Sequence, residues 1–395
     1  MKLAFIANAR IPSERANAVQ TVQMCAAFAA ACAEVTLYYP DRRNSFAGAD
    51  LHAYYGVPHS FQARRIPCVD WIAPNNQRHP LEKPIFILQT LTFGVALLWR
   101  LLRSPAEMYV SRDPFVLALL ALVMPHARRR MFFDSHAFPE SRAGKAFRNW
   151  LSSRVGGMVT NTKALRQLYL GLGLRPEAVL AASNGVNVTR FTSAPDRAAA
   201  RTALGLPLEE RLVVYTGGLY QGRGLEELIT AIKGLEAVLV VVGGTDESAA
   251  TRLKSLAAEV GAVNVRFEGH RPPAEIPLYL SAADVLAMPY SRRTVAPGGV
   301  TTDYMSPIKM FEYMAAARPI LATDLPVLHE VLRDGENALL VPPDDAAALA
   351  DGLRRLLTDS ALADRIARQA RCDVEAFTWD ARAQAILNFA KAQWT

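Results

Sequence analysis

Two doubly wound α/β domains joined by a short linker are the fold class that this sequence predicts. The chain has 395 residues, enough for about two domains, and it opens on a strand, loop, helix, strand order. A similar alternation restarts after residue 195. With 51% hydrophobic and 21% charged residues the composition is globular and excludes a disordered chain. We expect a ligand cleft at the carboxyl ends of the strands.

The N-terminal half has the pattern of repeated strand and helix units. Residues 2–8 predict a first strand, an apolar stripe within 19–29 predicts a helix, and 34–39 predict a second strand. This order is typical of a parallel sheet. Four further short apolar runs predict strands at residues 106–110, 130–133, 158–162 and 178–182. A turn at 183–187 and a loop at 192–195 then predict an interdomain linker.

The C-terminal half repeats the alternation more clearly. Strands are predicted at residues 211–216, 237–242, 263–268, 285–289, 320–322 and 338–341. Helices are predicted at residues 225–233, 247–260, 276–282, 307–317, 326–332 and 345–357. Residues 360–394 are helical in pattern to the end of the chain, with Trp379 and Trp394 as expected packing anchors.

Charge is distributed unevenly between the two halves. Residues 1–190 carry 23 Lys and Arg against 11 Asp and Glu, a net of +12, whereas residues 191–395 carry 21 against 26, a net of −5. This asymmetry predicts two domains with different partners. Cys25, Cys32, Cys68 and Cys372 form no CxxC pair and no zinc-spaced cluster, so we expect reduced thiols that serve as small buried apolar residues.

The longest apolar stretch covers residues 85–102, and several polar residues and one glycine interrupt it. A spanning helix needs about 20 mostly apolar residues, which makes this stretch a poor candidate. We expect a buried or groove-lining helix, with a helix lying in a membrane interface as the alternative. No signal peptide is expected, because the apolar run after Lys2 is short.

A glycine-rich loop at residues 217–224, Gly-Gly-Leu-Tyr-Gln-Gly-Arg-Gly, lies between a predicted strand and helix. Glycines let the backbone approach an anion, and a helix N-terminus attracts phosphate. The loop lacks the Lys and Ser/Thr of a GxxxxGK[ST] motif and the spacing of GxGxxG, so it supports neither ATP hydrolysis nor dinucleotide binding. Arg223 favours a phosphate-binding role, and a plain tight turn is the alternative.

A second glycine-rich run precedes the predicted helix at 307–317. Ser306 is expected as its N-cap and Pro307 as its first residue. Lys309 and Glu312 then share roughly one face. The helix start with Lys309 would hold a diphosphate, and Glu312 would accept two vicinal hydroxyls of a ribose. A capped amphipathic helix with a Lys–Glu pair is the alternative.

Several segments in order now carry a specific resemblance. They are residues 238–244, 265–269, 283–289, 306–315 and 335–341 in the C-terminal half. Together they resemble the C-terminal domain of a GT-B fold glycosyltransferase of the retaining family 4 type. The N-terminal half is similar more loosely, through its first strand–helix–strand unit and Asp134-Ser135-His136.

The resemblance implies the architecture. It implies two Rossmann-like domains facing across a cleft, with a donor domain at 190–375 and an acceptor-side domain at 1–185. A C-terminal helix at 376–395 is expected to return to the N-terminal domain. Domain closure is expected to exclude water from the cleft.

The resemblance also implies the site residues. Catalytic roles fall to His136, Arg223 and Lys309, with no metal and no cofactor beyond a UDP- or GDP-linked sugar donor as substrate. His136 would hydrogen-bond the donor sugar or phosphate. Donor binding falls to Gly217, Gly218, Gly269, His270, Arg271, Gly298, Gly299, Asp303, Tyr304, Ser306, Pro307, Ile308 and Glu312.

Three positions depart from the family pattern. The first loop usually carries a glycine pair, but residues 16–19 here read Ala-Asn-Ala-Val. The family often has two glutamates eight residues apart, but Tyr304 stands at the earlier position, beside Asp303. An arginine commonly follows the glycine matched by Gly217, where this chain has Gly218. Lys309 or the neighbouring Arg292 and Arg293 would then replace the missing charge.

The expected function is transfer of a sugar, with retention, from a nucleotide-sugar to an acceptor hydroxyl in cell-surface polysaccharide or glycolipid synthesis. The alternatives are a GT-B sugar-nucleotide epimerase and a non-catalytic protein that binds a sugar-nucleotide or nucleic acid. Expected partners are a carbohydrate or lipid-linked acceptor and an anionic membrane, contacted through Arg128, Arg129 and Arg130, and no nucleic acid. The expected location is cytoplasmic, peripheral on the inner membrane face.

Overall fold

The computed structural model describes residues 1–31, 33–71, 82–296 and 299–394. It divides into unit 1, made of Met1–Ser183 and Trp379–Thr395, and unit 2, made of Asn184–Thr378. Each unit contains one parallel sheet with helices packed on it. The predicted class of two doubly wound α/β domains is confirmed.

Unit 1 contains a seven-stranded parallel sheet in the order β3-β2-β1-β4-β5-β6-β7. Its strands are β1 Lys2–Ile6, β2 Glu34–Pro40, β3 Gln62–Ile66, β4 Met108–Ser111, β5 Met131–Ser135, β6 Gly157–Thr160 and β7 Val179–Ala181. Its helices are α1 Ala16–Ala30, α2 Leu51–Tyr55, α3 Glu82–Arg103, α4 Pro114–Val123, α5 Arg142–Ser152, α6 Lys163–Leu170 and, from the far end of the chain, α15 Trp379–Trp394. Short 3₁₀ turns lie at Pro125–Arg130 and Pro176–Ala178.

Unit 2 contains a six-stranded parallel sheet in the order β10-β9-β8-β11-β14-β15. Its strands are β8 Arg211–Thr216, β9 Ala237–Val242, β10 Val265–Gly269, β11 Val285–Met288, β14 Ile320–Thr323 and β15 Leu339–Val341, with a separate hairpin of β12 Val295–Ala296 and β13 Gly299–Val300. Its helices are α7 Thr189–Thr192, α8 Arg197–Leu204, α9 Leu225–Ile232, α10 Glu247–Val260, α11 Ile276–Ser281, α12 Ile308–Ala315, α13 Ala346–Thr358 and α14 Ser360–Asp373. Further 3₁₀ turns lie at Pro273–Glu275, Pro326–Glu330 and Val374–Ala376.

The strand order reverses once in each sheet. The chain leaves β1 toward β2 and returns on its other side as β4, and it leaves β8 toward β9 and returns as β11. Helices on either side of such a point diverge and leave a crevice at the carboxyl ends of the strands, where ligands bind in doubly wound folds. Each unit therefore has one favoured ligand position.

The buried central strands explain why most elements were predictable. Every residue of β9 is buried and apolar, as expected for a parallel strand covered on both faces. The edge strand β3 was missed, because four of its five residues are exposed and two are arginines. The segment predicted as a helix at 326–332 is instead the 3₁₀ turn Pro326–Glu330.

Helix α15 packs on α1 within unit 1, so the C-terminal segment completes the first unit as expected. Phe389 lies against the ring of Phe132, with centroids 5.9 Å apart, and a Cβ at Gly157 would come within 2.7 Å of Phe389. Trp379 is buried, whereas Trp394 is partly exposed and donates its indole N–H to Arg129 O at 3.1 Å.

Helix α3 lies on the surface of unit 1, packed on β3 and α4. Among the described residues it is the one helix whose length and composition would allow it to cross a membrane. In its most apolar window, 33% of the residues are buried within the protein. Its buried positions include Phe93 and Leu97, while Leu91, Val95 and Trp99 are exposed. It therefore lines a groove, as one of the two sequence interpretations expected.

The cysteines are only partly as expected. Cys25, Cys68 and Cys372 are free thiols, and Cys32 lies outside the described residues. Cys25 is buried and its pKa is raised by burial, but Cys372 is exposed. The interpretation as small buried residues thus holds for Cys25 and is wrong for Cys372.

Candidate functional site

The candidate site of unit 2 lies at its strand-order reversal, between the ends of β8 and β11. The glycine-rich loop 217–224 follows β8, as predicted, and leads into α9. Gly217 has φ +129°, and a Cβ there would lie 2.8 Å from Lys309 Nζ. Gly224 has φ +70°, and a Cβ there would overlap Pro289 O at 1.4 Å. The loop therefore needs glycine at both positions to approach β11 and Lys309.

Helix α12 is held beside the end of β8 by a buried tyrosine. Tyr313 Oη accepts a hydrogen bond from Thr216 N at 2.8 Å. The helix begins at Ile308, and Pro307 stands at the N-cap position without a side-chain cap. The prediction of Ser306 as N-cap is therefore wrong: its Oγ accepts from Asn184 N at 3.4 Å, and its carbonyl accepts from Asn184 Nδ2 at 2.8 Å. Asn184, in the predicted linker, thus fixes the segment that leads into α12.

Two basic side chains converge at this point. Lys309 Nζ lies 3.8 Å from the ring centroid of Tyr215 and 5.4 Å from that of Tyr290. The guanidinium carbon of Arg223 lies 5.1 Å from the ring centroid of Tyr290. Lys309 Nζ and Arg223 Nε are buried, and neither has a hydrogen-bond partner among the described residues. A buried cationic donor without a partner is costly, so the arrangement favours an anionic ligand.

The protonation of this cluster reflects its burial. Burial lowers the pKa of Lys309 well below its usual value, and the neighbouring Arg223 lowers it further, while Glu312 opposes both. Burial also raises the pKa of Glu312, against the opposing charges of Arg190 and Lys309. Both pKa values are thus shifted toward the neutral forms of the two side chains.

The other residues of unit 2 that were predicted to bind the sugar donor lie in several separate segments. Gly269 ends β10, and its carbonyl accepts from Gly243 N at 2.8 Å, which brings the loops after β9 and β10 together. Arg271 donates to Glu268 at 3.3 Å. Further members of the predicted set are placed as follows: His270 lies in the loop after β10, Gly218 follows β8, Gly299 begins β13, and Gly298 lies outside the described residues.

The structure shows where the residues at two of the departures from the family pattern lie. Tyr304 is buried, and its hydroxyl donates to Val300 O at 2.9 Å. Asp303 beside it is exposed in a turn. Arg292 forms an ion pair with Asp344 at 3.6 Å, whereas Lys309 Nζ lies 2.8 Å from the position of a Cβ at Gly217, next to Gly218.

The candidate site of unit 1 is centred on a buried carboxylate. Asp134, at the end of β5, accepts from Arg382 Nη2 at 2.7 Å and from Gln20 Nε2 at 3.0 Å. His136 Nε2–H donates to Asp134 Oδ1 at 3.1 Å. Burial alone would raise the pKa of Asp134, but the Arg382 charge and its other donors hold that pKa well below the usual range.

His136 is therefore presented in one defined form. Burial, together with the nearby Arg112, lowers the pKa of His136 to about 4. The ring is neutral near pH 7, and because its Nε2–H is donated to Asp134, the other nitrogen Nδ1 is the acceptor. Asp113 accepts from Phe115 N and Val116 N and caps α4.

Four residues of these sites were missed by sequence reasoning. Tyr215 and Tyr290 form the walls around Lys309, and Arg190 opposes the charge of Glu312. Arg382 reaches Asp134 from 248 residues away in sequence. Tyr215 and Tyr290 carried a local signal, since they lie at the ends of β8 and β11, where the strand order reverses.

No metal-binding group was found in the parts of the chain that the structure describes. Among residues 1–31, 33–71, 82–296 and 299–394, no cluster of three or more His, Cys, Asp or Glu side chains is arranged to hold a metal ion.

The two parallel sheets and the site at the β8–β11 reversal define the class of protein: the chain has the fold of the GT-B glycosyltransferases. Sucrose-phosphate synthase from Thermosynechococcus elongatus superposes with a TM-score of 0.79 at 19% identity, covering 100% of this chain and 99% of that one. Anabaena Alr3699/HepE, solved in complex with UDP and glucose, superposes with a TM-score of 0.74 at 19% identity, covering 99% and 100%. At these identities the likeness shows the fold.

Residues 196–373 match the family model for Glycosyl transferases group 1. A D-inositol 3-phosphate glycosyltransferase of Streptomyces bingchenggensis is 31% identical over 58% of this chain and 51% of its own length. A phosphatidyl-myo-inositol mannosyltransferase of Mycobacterium leprae is 30% identical over 61% and 60%. The chain thus spans about half to three fifths of these relatives. The predicted resemblance to GT-B glycosyltransferases is confirmed.

Proposed function

We propose that the chain transfers a hexose, with retention, from a UDP- or GDP-linked sugar to an acceptor hydroxyl. The observation that carries the proposal is the pair of buried cationic nitrogens, Lys309 Nζ and Arg223 Nε, left without a partner at the carboxyl end of the unit 2 sheet. A sugar diphosphate would supply both missing anionic partners. The names of the matched relatives, which include a glycosyltransferase and a mannosyltransferase, support the same class of reaction.

The residues of unit 2 would stabilise the departing diphosphate. Negative charge accumulates on the leaving phosphate as the sugar–oxygen bond breaks, and cations already placed there stabilise that charge without reorganisation. Lys309 and Arg223 would meet the phosphates, together with the free N–H groups at the start of α12. Glu312, one turn along the same helix, would accept the ribose hydroxyls. These roles do not call for a metal ion.

The steps at the sugar are taken from the family resemblance. Front-face substitution would retain the anomeric configuration, with the departing phosphate taking the proton of the acceptor hydroxyl. His136 would accept a hydrogen bond at Nδ1 from the donor sugar, in keeping with its neutral ring. It would not serve as a strong base, because its lowered pKa disfavours taking up a proton.

The donor experiment is a matrix of nucleotides and sugars. Thermal shift against UDP, GDP, ADP and CMP identifies the base, and incubation with the matching nucleotide-sugars follows. Release of nucleoside diphosphate, slow without acceptor and faster with one, is the expected result. No thermal shift with any nucleotide would contradict the donor site, and epimerised donor would favour the alternative class of sugar-nucleotide epimerases.

Two further tests address stereochemistry and metal dependence. The product glycoside should have the anomeric configuration of the donor by NMR, and inversion would contradict the proposed substitution. Activity should persist in excess chelator, and strict dependence on a divalent cation would contradict a metal-independent reaction. Both tests need only the purified chain and an identified donor.

We place this activity in cell-surface polysaccharide or glycolipid synthesis, on the cytoplasmic face of a membrane. The support is the net charge of +12 on residues 1–190, which would attract an anionic bilayer. Arg129 and Arg130 are exposed and Arg128 is partly exposed, its guanidinium donating to Ala121 O at 2.6 Å. These three arginines are the proposed surface contact.

A further inference from the structure

Unit 1 also contains a groove whose walls differ from those of the sites above. Strand β3 and helix α3 line a groove of about 880 Å³. Leu91, Val95 and Trp99 form one wall, with exposed fractions of 54%, 60% and 55%. Large apolar side chains this exposed, and side by side, mark a binding surface. The volume is within the range of small-molecule sites.

The rim of the groove is cationic. Arg64 and Arg65 project from β3, and Arg100 comes from α3. Arg65 lies 3.9 Å from Asp41, but within the described parts of the chain Arg64 and Arg100 have no acidic partner within 4 Å. The guanidinium carbon of Arg103 lies 3.5 Å above the Trp99 ring and adds positive charge beside the wall. The groove thus joins apolar walls with uncompensated positive charge.

This combination of features selects one kind of occupant. A second copy of the chain across a two-fold axis would place the arginine cluster against itself, because a two-fold interface uses the same patch on both sides. Nucleic acid would need a series of aromatic platforms, whereas two of the three wall residues are aliphatic. A molecule with a hydrocarbon chain and an anionic group satisfies both the wall and the rim.

The length of the apolar wall also fits a lipid chain. Exposed apolar residues recur from Ile87 through Leu91 and Val95 to Trp99 and Leu102. At about 1.5 Å per residue this stripe is roughly 22 Å long. That exceeds one leaflet of a bilayer core, about 15 Å. A lipid hydrocarbon chain could lie along it in full.

Helix α3 connects this wall to the reversal point of the unit 1 sheet. Just before Leu91, Gln89 donates to Asn8 Oδ1 at 3.1 Å and Thr90 Oγ1 accepts from Asn8 Nδ2 at 3.0 Å. Asn8 follows β1, at the carboxyl edge where the strand order reverses. A chain seated along α3 would therefore have one end close to the ligand position of unit 1.

We propose that the β3–α3 groove binds a single anionic lipid, with its hydrocarbon chain along Leu91, Val95 and Trp99 and its anionic group on Arg64, Arg65 and Arg100. The bound lipid is the anchor of the sugar acceptor. That last step rests on the proposed function, whereas lipid binding does not and is tested without any donor. A chain that binds lipid but transfers no sugar would overturn only the proposed function.

The test uses single-chain alkyl phosphates of 8, 10 and 12 carbons below their micelle concentrations, followed by calorimetry. Affinity is expected to rise about fourfold with each added methylene, the value for burial of one methylene group. Inorganic phosphate should show no binding, because it lacks the chain. Equal binding of inorganic phosphate, or no dependence on chain length, would overturn the proposal.

Variants locate the binding. Val95→Asp and Arg64→Glu should each weaken decyl phosphate binding about tenfold or more, since one places a charge in the wall and the other reverses the rim. The matched controls are Leu208→Asp, at a leucine 55% exposed in unit 2, and Arg175→Glu, at an exposed arginine of unit 1. Equal losses in the test and control variants would overturn the assignment.

A fluorescence measurement keeps the site distinguishable from general membrane contact. An alkyl phosphate brominated on its chain should quench Trp99, and the quenching should disappear in Trp99→Phe but persist in Trp150→Phe. Quenching that persists in Trp99→Phe would place the chain elsewhere. Binding to anionic vesicles without any binding of monomeric alkyl phosphate would show bilayer docking instead of a single-lipid groove, and would overturn the proposal.

Discussion

Replacing Lys309 by methionine should weaken the binding of a nucleoside diphosphate without destabilising the unliganded protein. Lys309 Nζ makes no hydrogen bond to the described residues, and burial lowers its pKa well below the usual value. The substitution therefore removes a buried amine that has no hydrogen-bond partner among the described residues, and it keeps an aliphatic chain against the Tyr215 ring. We expect the free energy of unfolding of the unliganded protein to stay unchanged or to rise, because an apolar side chain of similar length avoids the desolvation penalty.

The liganded protein should behave in the opposite way. A hydrogen bond to a charged group contributes about 1.5–3 kcal/mol, and a loss of about 2 kcal/mol corresponds to a roughly 30-fold rise in Kd. A nucleoside diphosphate at about 100 times its Kd stabilises the native protein by about 2.7 kcal/mol, which would fall to about 0.9 kcal/mol in the variant. For a domain the size of unit 2, this difference lowers the ligand-induced shift in Tm by roughly 4–7 °C.

The assay is differential scanning fluorimetry with and without the nucleoside diphosphate that shifts the wild-type protein most. The control is Lys233→Met, which removes an exposed lysine of the same unit just after α9. It should keep the full ligand shift. A Lys309→Met protein that is destabilised without ligand, yet keeps the wild-type shift, would refute the interpretation of Lys309 as a phosphate-binding cation.

Four further predictions concern both units. Glu312→Gln should raise the donor KM about tenfold by weakening the ribose contact; an unchanged KM in steady-state kinetics would contradict that role. Arg382→Met should lower the free energy of unfolding in urea by about 3–5 kcal/mol, because it leaves the buried Asp134 carboxylate unpaired, and adding Asp134→Asn should restore part of the loss. The free energy of unfolding should fall by about 3 kcal/mol as the pH drops from about 6.5 to about 4, because in that window the unfolded chain protonates His136 and the folded chain does not. His136→Gln should lack this loss. The control His126→Gln, at an exposed histidine, should keep it. Reversing the charges of Arg128, Arg129 and Arg130 should abolish binding to anionic vesicles at low salt in a sedimentation assay, and unchanged binding would leave them as plain solvated surface.

The elements that sequence analysis predicted are those whose pattern is set by burial. β8, β9 and α10 have the predicted bounds, because continuous apolar runs and a helical apolar stripe are the direct result of covering a parallel sheet. The elements it missed obey other constraints. β3 is an exposed edge strand with a polar sequence, and the hairpin of β12 and β13 has only two residues in each strand.

The site residues divide in a similar way. Arg223 was predicted because it lies in a glycine-rich loop, and Lys309 and Glu312 because they lie at the start of a helix; both signals are visible in short stretches of sequence. The structure adds that the first two are close together, and that Lys309 Nζ and Arg223 Nε have no hydrogen-bond partner among the described residues. No spacing in sequence could show this, since 86 residues separate the two. The prediction of Ser306 as N-cap failed because Asn184, distant in sequence, takes its hydroxyl.

The sequence by itself determined the class of fold, the order of the strands and helices, and the residue types available for a phosphate site, because these depend on local periodicity and local turn chemistry. Only the tertiary structure decided which groups lack a partner. Burial lowers the pKa of Lys309, and contacts with Asp134 and Arg382 hold the tautomer of His136. The apolar groove beside Arg64 likewise forms only where distant segments pack together. Desolvation and pairing are properties of the packed molecule, and no single segment of the chain contains them.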